Sequence, residues 1–273
     1  MKRNILNSSH LLELKKRRRR IVLSKILLYI FGFLVIFALS AYASHASIFN
    51  TKGIEITGNK TIDTEKIKEV VQGEIVGNYL HFFPKTNILF YPKKNIENKL
   101  KATFKRLREV AVFVSDEKIL QVSISEREPK YTWCGETINL EKEEKCNFLD
   151  ETGFIFDEAP YFSKNVYFKF YGALPTDFAK FVSFKQTLET IGIKPTALYA
   201  DNNGDMRIFL STKASTLMGP EIILNSDYDF KKIAENLQTA IDTEPLKSDF
   251  KNKYASLLYI DLRFENKVYY KFR

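Results

Sequence analysis

GIEITGNKTIDTEKIKEVVQGEI, residues 53–75, passes from one hydrophobic period to another within a few residues. Ile54 and Ile56 alternate with Glu55 and Thr57, the two-residue repeat of a strand with one buried face, and Gly58-Asn59 supplies a turn. From Asp63 the spacing changes, because Ile67, Val70, Val71 and Ile75 recur at helical intervals. Asp63 is a good N-cap, and Ile62 and Ile67 stand where a hydrophobic staple closes over a helix start.

Downstream of this strand-turn-helix, Pro92 precedes a second helical stripe, Ile96, Leu100 and Phe104, with Lys93, Lys94, Lys99 and Lys101 on the opposite side. Two strands follow, 109–115 and 118–126, around an Asp116-Glu117 turn. In the second strand Leu120, Val122 and Ile124 face in and Gln121, Ser123 and Ser125 face out. Residues 51–128 are therefore expected to form one small α/β domain with the order β-α-α-β-β. Between its helices runs FFPKTNILFYP, residues 82–92. This aromatic, proline-broken segment is expected to fill the space between the helices, since such residues are usually buried, with a recruitment surface as the alternative.

Upstream, an apolar run from Ile26 to Ala43 would span about 27 Å as a helix, close to a hydrocarbon core of roughly 30 Å. It follows Lys15, Lys16, Arg17, Arg18, Arg19 and Arg20, which predicts residues 1–25 as a basic cytoplasmic tail and 26–43 as a transmembrane helix leading outward. A cleaved signal peptide is the competing reading, because Ala41-Tyr42-Ala43 before Ser44 has the small-x-small form of a cleavage site. In either case the body of the chain is exported.

The same tail explains the net charge of +9: residues 1–25 hold nine Lys/Arg against Glu13, leaving 33 basic and 32 acidic side chains for the rest. A nearly neutral body argues against nucleic acid as a partner, which requires a basic folded surface. Apolar residues at 45% exclude a disordered chain.

After Pro129 the pattern becomes strand-rich, with short strands at 131–134, 145–149, 153–156 and 166–171. Pro175 opens a helix carrying Phe178, Phe181, Val182, Leu188 and Ile191, closed by Gly192. Asp201-Asn202-Asn203-Gly204 turns between strands 197–200 and 205–211, and 221–224 is a further strand. Phe230, Ile233, Ala234, Leu237 and Ile241 mark a second helix, and strands 257–264 and 267–272 form a closing hairpin around Glu265-Asn266. Residues 129–273 are expected to be a mainly antiparallel sheet with two helices on one face, so the fold class is α+β throughout.

Cys134 and Cys146 are the only thiols and flank a polar segment that reads as a hairpin turn. In an exported chain a disulfide between them is permitted, with two unrelated buried thiols as the alternative. A metal site is disfavoured because no His lies near them in sequence.

His10, His45 and His81 have no ligand or relay spacing, and no phosphate-binding loop, nucleophile elbow or zinc motif occurs. Asp150-Glu151 and Asp157-Glu158 flank turns, where solvated acids are ordinary. No catalytic residue, cofactor, metal or small-molecule substrate is expected, which leaves non-enzymatic binding.

Four segments carry a family resemblance: GIEITGN at 53–59, ISEREP at 124–129, LDETGFIF at 149–156 and YIDLRF at 259–264. In that order behind one membrane segment, the first domain resembles a POTRA domain and the chain resembles the FtsQ/DivIB family of bacterial division proteins. The resemblance implies a scaffold in the cytoplasmic membrane at the septum. It would bind the small bitopic proteins FtsB and FtsL and control septal peptidoglycan synthesis, with further division proteins on the POTRA domain. A POTRA-bearing secretion or outer-membrane assembly factor is the alternative; it predicts a membrane barrel or further POTRA repeats, which this sequence does not show.

The terminal strand is the expected partner site. At a sheet edge, Lys267, Lys271 and Arg273 would offer positive charge on one face, and Val268, Tyr270 and Phe272 an apolar stripe on the other. An acidic strand could add there by β-augmentation. The resemblance implies the same hairpin, with Arg263 and Phe264 matching the family's Arg-aromatic pair. Val268 and Tyr269 depart from the small residues common in that family's last strand.

Overall fold

In a computed structural model the described residues are 9–138, 145–160, 166–201, 203–211, 219–264 and 267–273. They divide into two units between Glu126 and Arg127. The Glu265-Asn266 turn, Asn202 of the earlier turn and residues 1–8 of the tail lie outside the described residues.

The first unit begins with α1 (Ser9–Ser44), whose stretch from Glu13 to Ser44 is long and apolar enough to cross a membrane. The helix runs without interruption through Lys15–Arg20, so the basic block is helical. Lys and Arg are good helix formers, and nothing in the block breaks the hydrogen-bond ladder. Next come β1 (Gly53–Thr57), α2 (Thr64–Ile75), the two-residue strands β2 (Asn78–Tyr79) and β3 (Phe83–Pro84), and α3 (Lys93–Thr103). β4 (Leu107–Val114) and β5 (Ile119–Glu126) complete the unit. Its sheet has the order β1-β5-β4, with β1 parallel and β4 antiparallel to β5. Ile67 and Val71 of α2 and Ile96 and Leu100 of α3 are buried with Val112, Leu120 and Val122 of the sheet.

Two details hold the β1–α2 connection. Asp63 caps α2 by accepting from the Glu65 N–H at 2.9 Å. The Glu126 carboxylate accepts from the backbone N–H groups of Lys60, Thr61 and Ile62 at 2.7, 3.0 and 3.0 Å. Burial alone would raise the pKa of Glu126, but these bonds outweigh it and hold the carboxyl below its usual range. Gly58 at this corner has φ +89°, and a Cβ there would lie 2.0 Å from the Ile124 carbonyl oxygen.

The second unit contains β6 (Tyr131–Trp133), β7 (Asn147–Leu149), β8 (Ile155–Glu158), β9 (Phe168–Gly172), α4 (Phe178–Thr190), β10 (Pro195–Ala200), β11 (Asp205–Leu210) and β12 (Glu221–Asn225). α5 (Phe230–Asp242), α6 (Leu246–Lys253), β13 (Leu257–Phe264) and β14 (Lys267–Phe272) follow. One nine-stranded sheet runs β14-β13-β12-β11-β10-β9-β6-β7-β8. It is a mixed sheet in which most junctions are antiparallel, as expected, while β12/β13, β9/β10 and β6/β9 are parallel. The connections account for two of these, since α4 links β9 to β10 and α5–α6 link β12 to β13. A helical crossover returns the chain in the same direction.

Phenylalanine fills the space between helices and sheet. Phe170 packs on Phe168, Phe178 and Phe181 with ring centroids 5.0, 5.1 and 5.6 Å away, and Phe230 stacks on Phe184 at 5.5 Å. Such ring pairs contribute about 0.5–1.5 kcal/mol each beyond the area they bury. Just after β6 and just before β7, Cys134 and Cys146 are joined in a disulfide. For this spacing in the chain the chain-entropy contribution is about 3 kcal/mol.

Candidate functional site

The β13–β14 hairpin ends the large sheet, and among the described residues no strand lies beyond β14. Its local order starts at Asp261, which is buried and accepts from the Arg263 N–H, Nε and Nη2 groups at 3.1, 3.0 and 2.8 Å. Burial would raise the pKa of Asp261; the Arg263 bonds outweigh it and hold the carboxyl low, and the same contact raises Arg263. The Arg263 carbonyl accepts from the Tyr228 hydroxyl at 3.1 Å, while its guanidinium also lies 3.9 Å from Asp205. Arg263 thus braces the strand from which it projects. Its neighbour Phe264 is 51% exposed and meets the 47% exposed Tyr269 edge-on, with centroids 5.0 Å apart.

β14 alternates as its sequence predicts, but the roles of its two faces differ from expectation. Val268, Tyr270 and Phe272 are half-buried and pack against the core of their own unit, where α5 also contacts β14. They are not an apolar stripe open to a partner. Lys267, Tyr269 and Lys271 point outward and are exposed, and the chain end is tied by the Arg273 N–H donating to Ser256 O at 2.8 Å. Tyr269, which in the sequence stood out only as a departure from the small residues of the resembled family, is therefore the outward aromatic of β14. In the register of the hairpin Tyr269 stands opposite Asp261.

β8, at the opposite edge of the sheet, is shorter and carries Asp157 and Glu158 with Pro160 just beyond, the features that blunt an edge. β14 has six residues, a cationic outer face and one exposed ring, Tyr269, with Phe264 of β13 beside it. In the first unit, the edge strand β4 exposes Phe113 between Ala111 and Val114, with a register shift between Leu107 and Glu109.

The segments that carry the resemblance are also structural. In ISEREP, Glu126 clasps residues 60–62, and Arg127 pairs with Asp150 of LDETGFIF while its guanidinium carbon lies 4.0 Å over the Phe154 ring. Asp150 also accepts from Thr152 N at 2.9 Å, Thr152 Oγ1 at 2.6 Å and Phe154 N at 3.0 Å. Burial opposes ionisation of Asp150, and these bonds with Arg127 prevail, so its pKa is lowered. No group of three His, Cys, Asp or Glu placed to hold a metal occurs among the described residues. Between α4 and α5 a groove of about 840 Å³ is lined by Ala179, Ser183, Phe184, Phe230 and Ala234.

No family model matches the sequence, and no curated protein matches it either.

Proposed function

We propose that the chain is a non-enzymatic, single-pass scaffold of the bacterial division complex. α1 crosses the cytoplasmic membrane with Lys15–Arg20 on the cytoplasmic side, the first unit is a POTRA domain, and β14 receives a strand from another bitopic division protein of the FtsB/FtsL kind. The observation that carries this reading is the position of β14 at the edge of the sheet among the described residues, with Lys267, Tyr269 and Lys271 outward and Phe264 beside them. An acidic strand added there would gain backbone hydrogen bonds from the edge, ion pairs from the lysines and ring contact from Phe264 and Tyr269. Two features of the first unit support the POTRA assignment: a three-stranded mixed sheet and two buried helix stripes in the order that family uses.

The test is imaging of a fluorescent fusion in dividing cells together with partner recovery. Mid-cell bands and co-purification of small bitopic division proteins support the scaffold. A uniform envelope signal, with no such protein recovered, rejects it.

A further inference from the structure

We infer that the loop joining α2 to α3 is a second membrane contact, seated in the lipid boundary beside the point where α1 leaves the bilayer. The inference rests on reading α1 as a membrane span. Phe37 of α1 meets the rings of Phe82 and Phe83 edge-on, both with centroids 5.5 Å away, and Phe83 continues the cluster to Phe90 at 6.2 Å. One turn and two turns further along the same face of α1, Ala41 and Ser44 are buried. The Ser44 carbonyl accepts from Asn87 Nδ2 at 3.2 Å and Asn50 Nδ2 at 3.1 Å, and His45 Nε2 lies 2.9 Å from Phe82 O. Side chains of the folded unit thus satisfy carbonyls that a helix end otherwise leaves open, and the loop is bolted to the helix.

Depth follows from length. If the hydrocarbon begins at Arg20, with Lys25 snorkelling, a core of roughly 30 Å ends about 20 residues later, near Ser40; if it begins at Lys25, it ends near His45. In both cases Phe37 lies below the outer boundary, and the rings packed on it lie at or below that boundary too. The loop surface suits this position. Leu80 is 77% exposed, Leu89 69%, Phe90 54% and Phe82 50%, and Ile48 next to the helix exit is 59% exposed. Such a cluster is costly in water, and aromatic rings are enriched at the membrane interface. The expectation that residues 82–92 fill the space between the helices is corrected here: Pro84, Asn87 and Pro92 are buried, whereas Phe82, Leu89 and Phe90 face outward. The occupant is the bilayer that α1 enters, since the loop's exposed surface is continuous with that helix.

The full chain, reconstituted in phosphatidylethanolamine–phosphatidylglycerol vesicles, tests this with added tryptophans read as the increment over the parent, whose single Trp is Trp133. Phe82→Trp and Leu80→Trp should each lose most of their added emission when lipids brominated near the top of the acyl chain are included. Thr103→Trp, at the far end of α3, should keep it and be quenched by iodide instead. Phe33→Trp, near the bilayer centre by the same arithmetic, reports the span itself in vesicles whose lipids are brominated near the end of the acyl chain. If Phe33→Trp is quenched by brominated lipid while Phe82→Trp and Leu80→Trp respond only to iodide, the loop contact is overturned and the span stands. If Phe33→Trp is not quenched, the span and the loop contact both fall.

Discussion

Asp150 shows how one carboxylate can organise a domain entrance. It is 1% exposed, faces the Arg127 guanidinium and accepts three further hydrogen bonds, so its pKa lies below the ordinary carboxylate value. A group depressed in the folded state stabilises fully above its unfolded pKa, about 3.9, and that contribution disappears as pH falls through the lower folded value. Asp150→Asn should destabilise the second unit by about 2–3 kcal/mol at pH 7, because Arg127 loses its counter-charge. It should also flatten the loss of stability on acidification; urea unfolding between neutral and acid pH checks both, and an unchanged acid limb contradicts the assignment. Gly58 is a second case. Its positive φ and the 2.0 Å approach of Ile124 O to any added Cβ predict that Gly58→Ala costs about 2 kcal/mol. A thermal melt that does not shift would contradict this.

At the scale of elements, β14 has a face committed to the core and a face open to solvent. Phe272→Lys would place a charge against Val268, Tyr270 and the core beneath them, so it should impair folding before it informs on binding. Tyr269→Asp combined with Lys271→Glu changes only the exposed face. If an acidic strand docks on β14, this double variant should weaken partner recovery at least about tenfold, or ~1.4 kcal/mol, with an unchanged melting temperature. Full recovery from the folded variant would move the site elsewhere. The alternation of β14 was legible in the sequence, but which face met the core was not. That choice depends on where α5 lies, and two faces of three residues each, one with lysines and Tyr269 and one with rings and Val268, leave it open. β2, β3 and α6 went unread for a related reason: two strands of two residues and a helix rich in Lys carry too short a period to stand out.

For the whole molecule, α1 is long and apolar enough to cross a membrane, and the proposed topology puts both units outside the cytoplasm. A reporter active only outside the cytoplasm and fused after Ser47 should be active, with the chain recovered at full mass in the membrane fraction. A soluble product beginning near Ser44 would instead support cleavage after Ala43.

Local periodicity was enough to read the long apolar helix, the strand-turn-helix opening and the two helix stripes of each unit, because each depends on residues close in the chain. Only the tertiary structure decided the parallel junctions of the large sheet, the inward turn of Val268, Tyr270 and Phe272, and the outward turn of Phe82, Leu89 and Phe90 beside α1. It also showed that charged residues in three of the four resemblance segments, Glu126, Arg127, Asp150, Asp261 and Arg263, brace strands and loops. Arg127 and Asp150 are 23 residues apart in the chain, and Glu126 reaches Thr61 across 65. Contacts at such separations follow from the packing of sheets and helices, which no local pattern records.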